Sequence, residues 1–415
     1  DDGSTDKSIE IIKNYELNPK IKVIFQKNKG LTISNNIALR ISNGEFIFRL
    51  DADDFLHEDA IKNLMSGFVN KKIGLVFGDW YSVDQYGKII NLVKRHNFST
   101  DVTLYDQPAH GACSMFRTEF LRKINGYDES ISRQDGYELW LRFIENFEVN
   151  NINTPVFYYR QHSSSLTKDE KKLLDTRAEI LEKHTKKYQK KNFKKFVAII
   201  PVRGSNIDSR SKPFLKVGNK NLIDYTLDHL QNSKSISKII LTTPSQLVID
   251  YVEANYKKVS LIKRSIESSR INSPITNSTI EALKSIKNLK SYDSFLLVSI
   301  GNPFMRPQLI DSAINIKKIF DVDTVIGLRE SEDLLYKHNG SGMVPLQDEK
   351  SKLKLESEQK YKRIKGMILR DINEYFKTKN LIGKKIGHVI IDEEAAIRIN
   401  SSLDLILAEA LIKKK

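Results

Sequence analysis

GEFIFRLDADDF, residues 44–55, decides how this chain is read. Phe46, Ile47 and Phe48 make a short apolar run that predicts a buried strand. Three carboxylates follow just past its end, at Asp51, Asp53 and Asp54. In an open α/β sheet ligands bind outside the carboxyl ends of the strands, so these acids face the crevice. A D-x-D pair suits a hard divalent ion held against a diphosphate. Mg²⁺ or Mn²⁺ takes one or two carboxylates and completes its shell with phosphate oxygens. The competing reading of a lone D-x-D is a polar turn with a helix N-cap.

Outward from this stretch, β-rich runs alternate with helical ones. IKVIF (21–25), EFIFRL (45–50) and IGLVFGDW (73–80) predict strands in the first part. KDEKKLLDTRAEILEKHTKKYQKKN (168–192) is polar, helical in period and free of Gly and Pro, and reads as a helix running into a linker. FVAIIPVRG (196–204) restarts a βα pattern, with further strands expected at SKIILTTP (237–244), DSFLLVSIG (293–301) and DTVIGL (323–328). QDEKSKLKLESEQKYK (347–362) is charged and reads as an exposed excursion. Strands alternating with helices predict mainly parallel sheets covered on both faces. The expectation is therefore an α/β protein of two nucleotide-binding-type domains, at 1–167 and 196–415, joined by a helical basic linker at 168–195.

At 415 residues the chain suits two domains, and no stretch approaches the roughly 18 apolar residues of a membrane span. One cysteine, Cys113, excludes a disulfide framework and a thiolate metal site, and fits a reducing, cytoplasmic setting. The net charge is +15, from 67 Lys+Arg against 52 Asp+Glu. The lysines are spread along the chain, and the densest cluster, KHTKKYQKKNFKK (183–195), matches no zinc, helix-turn-helix or RNA-recognition pattern. No nucleic-acid partner is expected. Peripheral contact with the inner face of an anionic membrane is the alternative use of the charge.

With DDGSTD (1–6), NKGLTISNNIAL (28–39) and RQDGYELWLRF (133–143), the D-x-D segment resembles the family 2 glycosyltransferases of GT-A fold. HGACSMFRTEFL (110–121), INGYDES (124–130) and FYYRQHSSSLT (157–167) extend the resemblance over nearly all of 1–167. The resemblance implies that Asp1 or Asp2 contacts the base of a nucleotide-sugar donor. It puts Asp51 at the ribose and diphosphate, Asp53 on Mg²⁺ or Mn²⁺, and Arg160 and His162 near the diphosphate. Asp135 is implied as the general base. A carboxylate there takes the proton of an acceptor hydroxyl as it attacks the anomeric carbon, and one displacement inverts that centre. Asp135 also reads as an N-cap for the helix YELWLRFIEN, while Leu139 and Trp140 read as core. Two departures are Gln134, where the family often has an acid, and Asn35, where Arg is common. The resemblance further implies that one strand and a helix normally precede DDGSTD.

AIIPVRGSNIDSRSKPFLKVGNKNLIDYTLDHL (198–230) places a strand, a Gly-containing loop and an amphipathic helix in series. Backbone N–H groups and basic side chains of such a loop cradle a triphosphate, which makes Arg203, Gly204, Arg210 and Lys212 nucleotide-binding candidates. The segment resembles the cytidylyltransferases that activate sialic-acid-like and other 2-keto acids as CMP-sugars. SFLLVSIGNPFMRPQLIDSAI (294–314) and AIRINSSLDLILAEALI (396–412) follow in that family's order. Asp208 stands where a basic residue is expected. Ser299, Gly301 and Asn302 occupy the strand end that carries Gln or Asp, and Arg398-Ile399-Asn400 replaces the metal-binding acids. Asp404 remains, where it caps a helix. A site without those carboxylates holds Mg²⁺ poorly. The expected activity is sugar transfer to a glycan, lipid-linked or protein acceptor. The alternatives are a second, CTP-dependent activity, or a second domain that binds CTP or CMP, or docks, without turnover.

Overall fold

The computed structural model describes residues 1–94, 110–161, 169–188, 193–270, 272–331, 333–346 and 360–414. His162, most of the charged excursion (347–359) and the end of the basic cluster (189–192) lie outside the described residues. The chain divides into two compact units, one over Asp1–Asp169 and the other beginning at Glu170.

The first unit runs α1 (Ser8–Lys13), α2 (Leu31–Ile41), β1 (Phe46–Phe48), β2 (Phe55–Leu56), α3 (Ala60–Ser66), β3 (Ile73–Val83), β4 (Ile89–Val93), β5 (Met115–Arg117), α4 (Thr118–Lys123), α5 (Asp135–Asn146) and β6 (Glu148–Arg160). Its sheet has the order β1-β5-β3-β6-β2, with β4 on β3. The nearly unbroken apolar run IGLVFGDW makes β3 the central strand, buried on both faces. The α/β class holds, but mainly parallel pairing does not hold in this unit. Only β3 and β6 run parallel; β1, β4 and β5 enter antiparallel. Strands joined through short returns, as β3 is to β4, pair antiparallel without a crossover helix. IKVIF forms no strand either. Ile21 and Phe25 are exposed, and the backbone hydrogen bond from Gln26 to the Asp1 carbonyl, 3.1 Å, is too little to build a ladder.

The second unit runs α6 (Glu170–Tyr188), β7 (Lys195–Pro201), β8 (Lys216–Val217), β9 (Lys220–Asn221), α7 (Leu222–Asn232), β10 (Ile236–Thr243), α8 (Gln246–Asn255), β11 (Val259–Lys263), α9 (Ile275–Lys284) and β12 (Tyr292–Val298). It continues through α10 (Pro307–Phe320), β13 (Thr324–Glu330), β14 (Tyr336–His338), β15 (Met343–Pro345), β16 (Tyr361–Asp371), α11 (Ile372–Thr378), β17 (Ile386–Ile390), α12 (Glu393–Ala396) and α13 (Ser402–Lys414). The main sheet has the order β11-β10-β7-β12-β16-β13-β17. Its β7, β10, β11 and β12 are parallel neighbours, and β16 alone runs against both of its own. Chain order turns back between β7 and β12, so their carboxyl ends border a crevice.

The helix read as a linker belongs to this second unit. Leu174, Ala178 and Leu181 are buried, and the i, i+4, i+7 spacing puts them on one face of α6. Its polar face adds ion pairs from Asp175 to Arg306 (2.9 Å) and from Glu182 to Lys234 (2.9 Å).

Candidate functional site

In the first unit the site grows from the end of β1. Arg49 forks toward two carboxylates that lie 84 positions apart. Its Nε and one terminal nitrogen donate to the two oxygens of Asp51, at 2.7 and 2.9 Å. The other terminal nitrogen donates to Asp135 Oδ2 at 2.7 Å. Burial opposes the charge on Arg49, but Asp51 and Asp135 outweigh it and raise the guanidinium's pKa. The planar fork of donors makes this two-sided grip available to arginine and not to lysine. Tyr127 lies alongside, its phenol pushed up to about 12 by burial and by the Asp135 charge, against the opposing pull of Arg49. Asn36 of α2 fixes Tyr127 in turn, accepting from its N–H and donating to its carbonyl, both at 2.9 Å.

Asp135 is the first residue of α5 rather than its N-cap, which is Gln134 in a left-handed conformation with φ 57°. A carboxylate in the first helical turn is favoured by the helix dipole. Asp135 turns this charge toward Arg49, and its Oδ1 has no hydrogen bond among the described residues. Gly136 permits the arrangement. A Cβ there would lie 2.9 Å from the Gly111 Cα, so the His110–Cys113 stretch could not pass the start of α5. Leu139 and Trp140 are core, as expected, with Trp140 edge-on to Phe77.

The placement of α5 rests on a buried ion pair. Arg142 grips both oxygens of Glu138, at 2.6 and 2.7 Å, and donates to the carbonyls of Ile124 and Gly126. Both side chains are about nine-tenths buried. Arg142→Met leaves Glu138 as an uncompensated buried charge and is expected to lower unfolding free energy by about 3–5 kcal/mol. The check is a drop in the urea midpoint at unchanged m-value.

Asp53 lies in an exposed turn, with its carbonyl held by Arg160 Nε at 2.7 Å. Arg160 also donates to the Gln85 carbonyl, at 2.8 Å, so its guanidinium braces the D-x-D turn against the β3–β4 turn. Asp54 is buried. Its Oδ1 accepts from the Arg160 N–H at 2.9 Å, while Oδ2 has no partner among the described residues. Burial, with Asp53 and Asp51 adding to it, pushes Asp54 up to about 6. Asp1 and Asp2 are each tied locally. Asp1 accepts from the Gly3 and Ser4 N–H groups and from the Ser4 hydroxyl. Asp2 accepts from the Lys29 and Gly30 N–H groups and from Gln26. Burial works against the Asp2 charge, yet these donors hold its pKa below the usual carboxylate value.

These residues fit a cation that borrows most of its ligands. Arg49 holds both Asp51 oxygens, which leaves Asp53 and the orphaned Asp54 Oδ2 as the carboxylate donors at the turn. No group of three or more His, Cys, Asp or Glu that could hold a metal occurs among the described residues. Mg²⁺ or Mn²⁺ binds through as few as one or two carboxylates when a diphosphate and water complete the shell.

In the second unit, a cavity of about 910 Å³ opens at the carboxyl ends of β7 and β12. Arg203, Arg210 and Lys212 from the loop after β7 line it. Asp208 braces two of them: it accepts from Arg210 Nε at 3.0 Å and from Arg203 at 3.2 Å. Arg210 first, with Arg203, holds the Asp208 pKa down. The Gly204 N–H points to Ser211 Oγ, 3.2 Å away, so this amide serves the loop's own turn. Asn302, which stands in place of an acid, lends its Nδ2 to the carbonyls of Ala396 and Ile397.

Residues 1–126 match the family model for glycosyl transferase family 2, and residues 197–379 match the model for cytidylyltransferase. The first unit carries a family 2 glycosyltransferase domain and the second a cytidylyltransferase domain. Over 159 residues the glycosyltransferase domain is 30% identical to a chondroitin synthase of Escherichia coli, a match covering 37% of this chain and 23% of that protein. Over 155 residues it is 28% identical to a hyaluronan synthase of Pasteurella multocida, covering 37% and 16%. The chain thus spans less than a quarter of either relative. Solved structures similar to this chain include a 4-diphosphocytidyl-2C-methyl-D-erythritol synthase from Anaerococcus prevotii, at 19% identity and TM-score 0.40, covering 53% of this chain and 96% of that one. Another is a CMP:2-keto-3-deoxy-manno-octonic acid synthetase complexed with CTP, at 12% identity and TM-score 0.40, covering 53% and 99%. No helix among the described residues is long and apolar enough to cross a membrane.

Arg49 and Tyr127 escaped the sequence reading of the glycosyltransferase domain, whereas Asp54 was read with Asp51 and Asp53 as one of three acids at the crevice. Arg49 had a signal. On an extended chain, residues two apart share a face, so Arg49 points where Asp51 points.

Proposed function

We propose that the glycosyltransferase domain moves a sugar from a nucleotide-sugar to a hydroxyl of a glycan acceptor, with inversion at the anomeric carbon. The observation that carries this reading is the Arg49 bridge, which gathers the first acid of the D-x-D and the candidate base onto one guanidinium. Asp135 Oδ1 takes the acceptor proton as the hydroxyl oxygen forms its bond to the anomeric carbon. The bond from that carbon to the diphosphate oxygen breaks, and the electron pair leaves with the nucleoside diphosphate. A divalent cation on Asp53 would supply charge to offset that leaving group. Asp51, held by Arg49, marks the ribose and diphosphate end of the donor, and Asp1 and Asp2 mark the base. Arg160 keeps the D-x-D turn in place; the role assigned to His162 falls outside the described residues. Both synthases named above are polysaccharide-forming by name, which favours a glycan over a lipid-linked or protein acceptor.

A panel of nucleotide-sugars incubated with Mn²⁺ or Mg²⁺, with and without EDTA, tests this. Release of nucleoside diphosphate from one donor, with metal only, is the expected result. Turnover indifferent to EDTA, or none across the panel with any acceptor, contradicts it.

A further inference from the structure

The cavity of the second unit has an unusual charge balance. Among the described residues, seven cationic side chains line it: Arg203, Arg210, Lys212, Arg264, Arg363, Lys365 and Arg398. Asp208 is the one carboxylate among them, and two arginines already neutralise it. Arg264 is the most informative member. It follows β11, is only 7% exposed, and has no ion-pair partner among the described residues. One terminal nitrogen meets the Ser278 hydroxyl and the other meets the Val202 carbonyl at 3.2 Å. Its Nε has no acceptor among the described residues. Burial, with the Arg203 charge adding to it and the Glu281 carboxylate opposing it, pushes Arg264 down to about 10. A buried guanidinium with no carboxylate in direct contact is costly, and an anion entering the cavity would supply a direct partner.

Arg398 extends the pattern at the other end of the lining. Its Nε donates to Asn400 Oδ1 at 3.1 Å and its Nη1 to the Lys365 carbonyl at 3.1 Å, and no carboxylate among the described residues pairs with it. Gly301, after β12, lies beneath it, with 3.4 Å between the Arg398 Cγ and a Cβ built there. A divalent cation in this lining would meet seven cationic side chains and, among the described residues, a single carboxylate that is already paired.

We propose that this cavity binds a polyphosphate chain directly on its arginines and lysines, without a divalent cation, with Arg264 as the buried anchor. The side-chain cations take the place of the metal, and the Arg398–Asn400 stretch contributes a cation where a metal site would need acids. A free pyrophosphate and the triphosphate of a nucleotide share this chemistry. The inference concerns the second unit alone and holds whether or not the first unit transfers sugar.

Calorimetric titration of the full chain with pyrophosphate and, separately, with CTP tests it, each in EDTA and in excess Mg²⁺. Both probes are expected to bind in EDTA, and Mg²⁺ to weaken binding several-fold, on the order of the charge it removes from the ligand. Tighter binding of CTP would add a base contact to the same site. Arg264→Gln is expected to lower affinity about tenfold or more. Because Arg264 is buried, Arg398→Gln provides a second reading from a partly exposed position, with a several-fold loss at unchanged melting temperature. Binding that requires Mg²⁺, no binding of either probe, or affinities unchanged in both variants would overturn the proposal.

Discussion

Asp135→Asn is expected to lower kcat for sugar transfer by roughly 10²–10⁴-fold, the range that a positioned general base contributes. The amide oxygen can still accept from Arg49, so the fold and the Arg49–Asp51 pair persist. What is lost is the capacity to take the acceptor proton. Because Asp135 is assigned to the acceptor and not the donor, KM for the nucleotide-sugar should change little, which separates a loss in the chemical step from a loss in binding. Steady-state kinetics at saturating metal measures both. A KM effect with kcat preserved would move Asp135 from catalysis to donor binding.

Arg49→Met is expected to have the second largest effect. The side chain keeps its bulk and loses every donor, so Asp51 and Asp135 are left as neighbouring carboxylates with no cation between them. Misplacing a catalytic group by about 1 Å can cost 10²-fold in rate, and a loss of about that size in kcat is expected. Loss of hydrogen bonds to charged groups should also lower unfolding stability by about 1.5–3 kcal/mol. Arg49→Lys should recover part of the stability and little of the rate, because an ammonium cannot grip Asp51 with two parallel bonds and reach Asp135 as well. Full rate in the lysine variant would show that charge alone matters, and that the fork does not.

Strongly patterned stretches of this chain were the legible ones. The apolar runs of β1 and β3, and the strand–loop–helix series from β7 to α7, were readable because burial and turn chemistry agree locally. IKVIF carries strand-forming residues yet lacks ladder partners, and partner strands cannot be read from a segment's own composition. The helix α6 looked like a linker because charge dominates it. Its narrow stripe of Leu174, Ala178 and Leu181 was enough to bind it to the second unit.

Of the candidate sites, the acids and the motif arginines were readable, and Arg49 and Arg264 were not. Asp51 and Asp135 stand out as single residues, but the distance between them in sequence hides their shared guanidinium. Arg160 was expected near a diphosphate, and its hydrogen bonds hold backbone carbonyls of two turns. Arg264 sits some 60 positions beyond Arg203. The return of the sheet across β10 and β11 brings it to the same cavity, a consequence of topology with no local motif. Asp208, which looked like a defect in a basic loop, serves as the brace that orders Arg203 and Arg210.

The most direct test of the central claim is metal-dependent donor turnover compared across the native chain, Asp53→Ala and Asp135→Asn. The account predicts that Asp53→Ala loses the response to Mn²⁺, and that Asp135→Asn keeps donor binding and loses transfer. Turnover unchanged in both variants would contradict it.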